Sequence, residues 1–166
     1  MKAEHYPPNE GEGAAVQEKD NPGVIAPPPL IYLAGLATGF VLEQFWPIGV
    51  GRSPAAGIIG IAFGAALMAL GLREFKMAET DYLPYRPTVR IIQTGPFRFT
   101  RNPLYLAMTL IYAGIALAFG SLWAFLLLVP VLAVIHYGVI AREERYLERK
   151  FGEDYLTYKR AVRRWL

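Results

Sequence analysis

The chain has 166 residues, 54% of them hydrophobic and 19% charged, with two histidines and no cysteine. That excludes a disulfide, a thiolate metal site and a cysteine nucleophile, and no metal centre is expected. The net charge of +3 is uneven: residues 1–29 set Lys2 and Lys19 against Glu4, Glu10, Glu12, Glu18 and Asp20, so the remainder is distinctly basic. A basic, apolar chain of this kind suits anionic lipid headgroups, and no nucleic-acid partner is expected.

Residues 1–29 hold six prolines among Gly, Glu and Asn. Such a composition buries no core, so a flexible tail is expected, followed by a single domain over 30–166. The acidic start and the late apolar run argue against a signal peptide. Leu30 to Trp46 is the first apolar run, closed by Glu43, Gln44, Phe45 and Trp46. Glu43 reads as an interfacial acid that snorkels, or as a polar group facing a bundle interior. A short loop with Arg52 leads to a second run over 55–72. Its Gly60-x-x-x-Gly64 spacing predicts close helix packing within the chain.

Residues 73–102 form a long polar connection, with Thr88 to Thr94 expected as a short extended or amphipathic piece. It ends in a turn, a basic strip and a helix start: Gly95, Pro96, Phe97, Arg98, Phe99, Thr100, Arg101, Asn102, Pro103, Leu104, Tyr105. Asn102 is expected to cap a helix whose first position is Pro103. No Asp, Glu, Lys or Arg follows Pro103 until Arg142. One helix over 103–140 would be about 57 Å long against a hydrocarbon core of about 30 Å, so two passes are predicted. They fall at 103–119 and 122–140, turned at Gly120-Ser121, with a kink at Pro130. The helix then runs on through Arg142 to Lys150 and ends at Gly152. A last amphipathic helix, 153–165, would lay Tyr155, Tyr158, Val162 and Trp165 on the membrane.

The expected fold is therefore all-α: an integral membrane helical bundle of about four transmembrane helices (near 30–46, 55–72, 103–119 and 122–140) plus cytoplasmic amphipathic C-terminal helices. Lys and Arg concentrate in the 73–102 connection and after residue 141. The positive-inside rule then puts both termini and any site there in the cytoplasm, at the inner membrane if the cell is bacterial.

Two elements carry candidate chemistry, and the predicted hairpin brings them together. One is the Gly95–Tyr105 strip. The other runs from His136 to Arg145. Glu143 and Glu144 have no basic neighbour three or four residues away, so a distant cation such as Arg98 or Arg101, or a ligand, would have to answer them. The plainer alternative is two solvated acids just past a span. His136 sits about a turn inside the membrane, as a structural hydrogen-bonding group or as a ligand contact.

These elements resemble the isoprenylcysteine carboxyl methyltransferase and phospholipid methyltransferase superfamily. The resemblance rests on Gly95-Pro96-Phe97-Arg98, on Arg101-Asn102-Pro103-Leu104-Tyr105, and on Arg142-Glu143-Glu144-Arg145-Tyr146-Leu147 with Phe151-Gly152, Tyr155, Tyr158 and Arg163. It implies an S-adenosylmethionine-dependent methyltransferase whose lipophilic methyl acceptor enters from membrane lipid. Cofactor binding would then fall to Gly95, Pro96, Phe97, Asn102, Pro103, Tyr105, His136, Glu143 and Glu144, with Arg101 and Glu144 catalytic. Family members often carry His where Asn102 stands; Asn supplies a hydrogen bond but no charge. A carboxylate acceptor would need no base, whereas an amine or thiol would need His136 or a glutamate. The competing readings are an NADPH-dependent membrane reductase of the sterol-reductase type and a non-enzymatic packing protein.

Overall fold

The computed structural model describes residues 20–48, 51–83 and 86–166. Among these residues there is no β-strand. Helix α1 spans Pro28–Phe45, α2 Pro54–Met77, α3 Pro103–Phe119 and α4 Leu122–Val134. A π-helical turn at Ile135–Ile140 leads into α5, Ala141–Phe151, and α6 follows over Glu153–Ala161. A 3₁₀ turn, Gly95–Arg98, interrupts the α2–α3 connection.

Three of these helices start with proline at the first turn, where the missing N–H has no partner to lose. The α3–α4 hairpin closes at Gly120-Ser121 as the sequence predicts. Gly120 takes the left-handed conformation (φ 67°) that ends α3, and the Ser121 side chain accepts from the Ala124 N–H to start α4. Glu43 faces inward at this same end and accepts from Ser121 Oγ at 2.9 Å. It is therefore not a snorkelling acid but a clamp between α1 and the hairpin.

Helix α2 packs along α3, and α1 along α4. The glycine spacing explains the closeness of the first pair. A Cβ on Gly57 would lie 2.6 Å from Gly114 O, and one on Gly64 would lie 2.8 Å from Ala107 O. The small residues thus seat one backbone on another inside the chain, where burying apolar surface from lipid supplies little drive.

Among the described residues, two helices are long and apolar enough to cross a membrane: α2, and the continuous 30-residue rod Leu122–Phe151 made of α4, the π turn and α5. Helix α3 is apolar but shorter. Only 17% of the most apolar α2 window and 28% of that of the rod are buried by the chain itself. A core helix of a water-soluble domain would be covered. Here Phe63 and Val129 stay 68% and 69% exposed, which is what a lipid-facing surface requires.

Several expectations are corrected. Pro130 lies inside α4, and the rod carries a further irregularity, the π turn, that the sequence reading did not include. The polar stretch 88–94 forms neither helix nor strand. Helix α6 stops at Ala161, short of Trp165, and its Tyr155 and Tyr158 are buried against protein, not laid on a membrane. Most of the expected tail, 1–19, lies outside the described residues. Its end, 20–27, is irregular but lies against α5.

Gly64→Val is expected to drive a side chain into α3 and lower stability by about 1–3 kcal/mol, as overpacking does. Gly51→Ala, with nothing within 4 Å of the new Cβ, should leave stability unchanged. Thermal unfolding of the detergent-solubilised protein, read by circular dichroism, checks both.

Candidate active site

The charged end of the bundle holds an open-mouthed cavity of about 130 Å³. The start of α3 contributes Pro103, Leu104 and Tyr105; α5 contributes Glu143, Glu144, Tyr146 and Leu147; α6 contributes Tyr155 and Tyr158. Phe97, Arg101 and Asn102 line it from the connection before α3. The 3₁₀ turn sets that connection in place. Gly95 sits at φ 56°, and a Cβ there would lie 2.7 Å from Glu74 Oε1. Glycine is needed on both counts. Thr94 Oγ1 donates to the other Glu74 oxygen. Pro96 O accepts from the N–H of Phe99 and of Thr100. Phe97 is buried on Phe75, centroids 5.6 Å apart, and its carbonyl accepts from Tyr158 Oη at 2.8 Å.

The two adjacent glutamates have different partners. Glu144 is 4% exposed. Its Oε1 takes Arg101 Nη2 at 3.0 Å and Arg164 Nε at 2.9 Å, and its Oε2 takes Arg164 Nη2 at 2.5 Å. Lys159 Nζ stands 3.9 Å away and pairs directly with Glu148. Glu143 has no Lys or Arg partner among the described residues. Its Oε1 accepts from Tyr105 Oη at 2.6 Å. It lies beyond the uncharged stretch that ends at Ala141. Burial pushes its carboxyl up to about 7, with the Glu144 charge adding to the rise and the Tyr105 hydrogen bond opposing it.

Arg101 holds the connection to the C-terminal segment. Its N–H donates to Arg163 O at 3.0 Å, and its Nη1 reaches Lys159 O at 3.5 Å. Its side chain is 8% exposed, and its Nε is buried with no partner. Asn102 does not cap α3. Its Nδ2 donates to Arg164 O at 2.9 Å, and that same carbonyl accepts from Thr100 Oγ1. Asn102 holds the position before the first helical residue, but its side chain is turned to this tertiary carbonyl and makes no capping bond to the helix N–H groups.

The structure thus gathers Phe97, Arg101, Asn102, Pro103, Tyr105, Glu143 and Glu144 around one cavity, with Gly95 and Pro96 behind it. It does not bring His136 there. His136 Nε2 lies 2.6 Å from Arg164 Nη1, and its Nδ1 lies 3.3 Å from Trp165 Nε1. Both partners are donors only, so the ring accepts from one of them and braces the C-terminal segment. Two features escaped the sequence reading. Arg164, one of several basic residues near the C-terminus, is the main partner of Glu144. Tyr146 joins three segments: its hydroxyl donates to Asp20 Oδ1 and accepts from Thr88 N–H and Lys150 Nζ.

Together these features define an all-helical membrane protein with a polar cavity at the charged end of its bundle. The chain belongs to the phospholipid methyltransferase family, whose model matches residues 53–154, from the approach to α2 to the start of α6. This is a family of membrane methyltransferases. An uncharacterized protein of Haemophilus influenzae is 46% identical over 63 residues, covering 38% of this chain and all of that relative. No solved structure matches.

Glu144→Ala would strand two guanidinium groups, one of them buried. Losing one partner of a buried ion pair costs about 3–5 kcal/mol, so a fall of that order is expected in chemical unfolding. Glu143 behaves oppositely. The folded protein holds its proton up to about 7, against an ordinary value of 4.5. Stability should fall as pH rises from 4.5 through 7. Glu143→Gln should flatten that part of the profile, which thermal midpoints across pH would show.

Proposed function

We propose that the chain transfers a methyl group from S-adenosylmethionine to a lipophilic acceptor that reaches the cavity from the bilayer. The observation that carries this reading is the division of charge in the cavity. Arg101 and Arg164 share the single carboxylate of Glu144, which leaves one positive charge over. Glu143 stands apart with only a tyrosine hydroxyl. An amino-acid group, with its carboxylate and its ammonium, asks for this separated pair of partners. The unpaired, buried Arg101 Nε marks the cationic side as short of an acceptor.

In this reading Glu143 holds the ammonium and Arg101 the carboxylate, while Glu144 positions Arg101. The aromatic rings of Tyr105, Tyr155 and Tyr158 offer faces to a cationic or planar group. The cofactor would supply an electrophilic methyl on a sulfonium. The chain's part is to align donor and acceptor and keep water out, and Phe97, Leu104 and Leu147 supply apolar wall for the second task. Four membrane passes, with the cavity on the cytoplasmic side, agree with the Lys and Arg distribution: the cavity end carries nearly all of it, and the opposite loop carries Arg52. Family membership favours this over the NADPH reductase reading.

Calorimetric titration of the detergent-purified protein with S-adenosylhomocysteine tests the proposal. Wild type is expected to bind, with NADPH as the negative control. Glu143→Gln, removing a charge-assisted contact, is expected to weaken binding about tenfold or more while the protein stays folded. No binding by folded wild type, or equal binding by the variant, would refute it.

A further inference from the structure

The segment before α1 is fastened across the outside of α5 and the π turn, and it also reaches the cavity. Pro22 forms part of the cavity wall. On one side of it, Asp20 takes Lys150 Nζ on both carboxylate oxygens, at 2.7 and 2.8 Å, and Tyr146 Oη at 2.7 Å. On the other, Gly23 O accepts from Arg142 Nη1 at 2.8 Å, and the Ile25 side chain lies directly over the Cα of Gly138. Tyr146 also carries the Thr88 N–H, so strap and connection are pinned at one hydroxyl beside the mouth.

The fastening is weak by construction. The strap has no helix or strand through residue 27, and the Asp20–Lys150 pair is solvent-exposed, with side chains 55% and 27% accessible. Exposed pairs of this kind add little stability and are screened by salt. Segments held by few buried contacts open locally far more often than the fold unfolds. Val24 packs against the core and anchors the rear of the strap, so the part free to open is the stretch from Asp20 to Gly23 in front of it. A strap held by an exposed ion pair at a cavity mouth has the properties of a gate.

We infer that residues 20–25 form a strap that gates the cavity, latched by Asp20 on Tyr146 and Lys150 and opened by release of that latch. The inference depends on the cofactor reading only for the identity of what passes. The matched family stretch starts at residue 53, so the strap lies outside it.

The absence of cysteine makes the test clean. Leu147→Cys places a single thiol in the cavity wall, and its labelling rate by a water-soluble maleimide reports access with no ligand needed. In that background, Asp20→Asn and Lys150→Gln, each folded by circular dichroism, are expected to raise the rate about threefold, the size of an exposed ion pair's contribution. Added salt should raise it in the parent alone. Asp154→Asn, an exposed acid on α6, should leave it unchanged. In the native-cavity background, Asp20→Asn is expected to speed association and dissociation of S-adenosylhomocysteine together and leave Kd nearly fixed. Unchanged labelling in both latch variants would overturn the strap. Faster labelling in a protein that never binds S-adenosylhomocysteine would support the strap and count against the cofactor reading.

Discussion

The arrangement depends on one buried carboxylate. Glu144 sits on α5 at the end of the rod, and without compensation its burial would cost several kcal/mol. Arg101 and Arg164 provide that compensation from opposite directions in the sequence. Holding Arg101 fixes the connection before α3. Holding Arg164 fixes the segment after α6, and the two are then stitched together by backbone and side-chain bonds from Arg101, Thr100 and Asn102 to the carbonyls of Arg163 and Arg164. Tyr158 on Phe97 O and Lys159 on Glu148 add to this hold on α6, which joins α5 at Gly152, a turn with open space around it. The ion cluster therefore closes the cavity that the helices only outline.

The helices answer a different constraint. In lipid, an apolar side chain gains little by turning inward, so the outer faces keep their Phe, Ile, Leu and Val exposed. Association rests on close backbone contact and on a few polar links. The α2–α3 seam supplies the first through Gly57, Gly64 and Gly114. The second comes from Tyr32, whose hydroxyl reaches Tyr105 O and Thr109 Oγ1, and from Tyr112, which donates to Ala124 O. Tyr32 thereby supports the same turn of α3 that presents Tyr105 to Glu143.

Much of this was legible because it is periodic or local. Apolar runs bounded by Pro, Gly and Trp are set by the dimensions of the helix and the bilayer, and the Gly120-Ser121 hairpin follows from length alone. Where the reading erred, two environments present the same local pattern. The apolar face of α6 has one periodicity whether it meets lipid or protein. Asn102 has one side chain whether it caps its own helix or crosses to Arg164 O. Glu43 satisfies an interfacial position and an inward clamp equally well, until Ser121 is seen opposite it. Nothing local distinguishes Glu143 from Glu144 either. The decisive partner, Arg164, lies 20 residues on in a segment with no regular structure.

Why two adjacent glutamates occur here follows from helix geometry. Consecutive residues on a helix point about 100° apart, so at a helix edge one carboxylate turns toward the folded-back C-terminal segment and the next toward the cavity. The pair of guanidinium groups holds Glu144 in place. The Glu144 charge helps keep Glu143 protonated to higher pH than an isolated acid would be. The cationic excess of the cluster lies on the Glu144 side, where Glu143, bonded to Tyr105, draws none of it off. Fusing the two roles into one residue would fail: a carboxylate saturated by two guanidinium groups has little left to offer a ligand's cation, and one left open for a ligand could not hold the C-terminal segment down. On the proposed reading, the doublet separates folding from recognition by a single step along the chain.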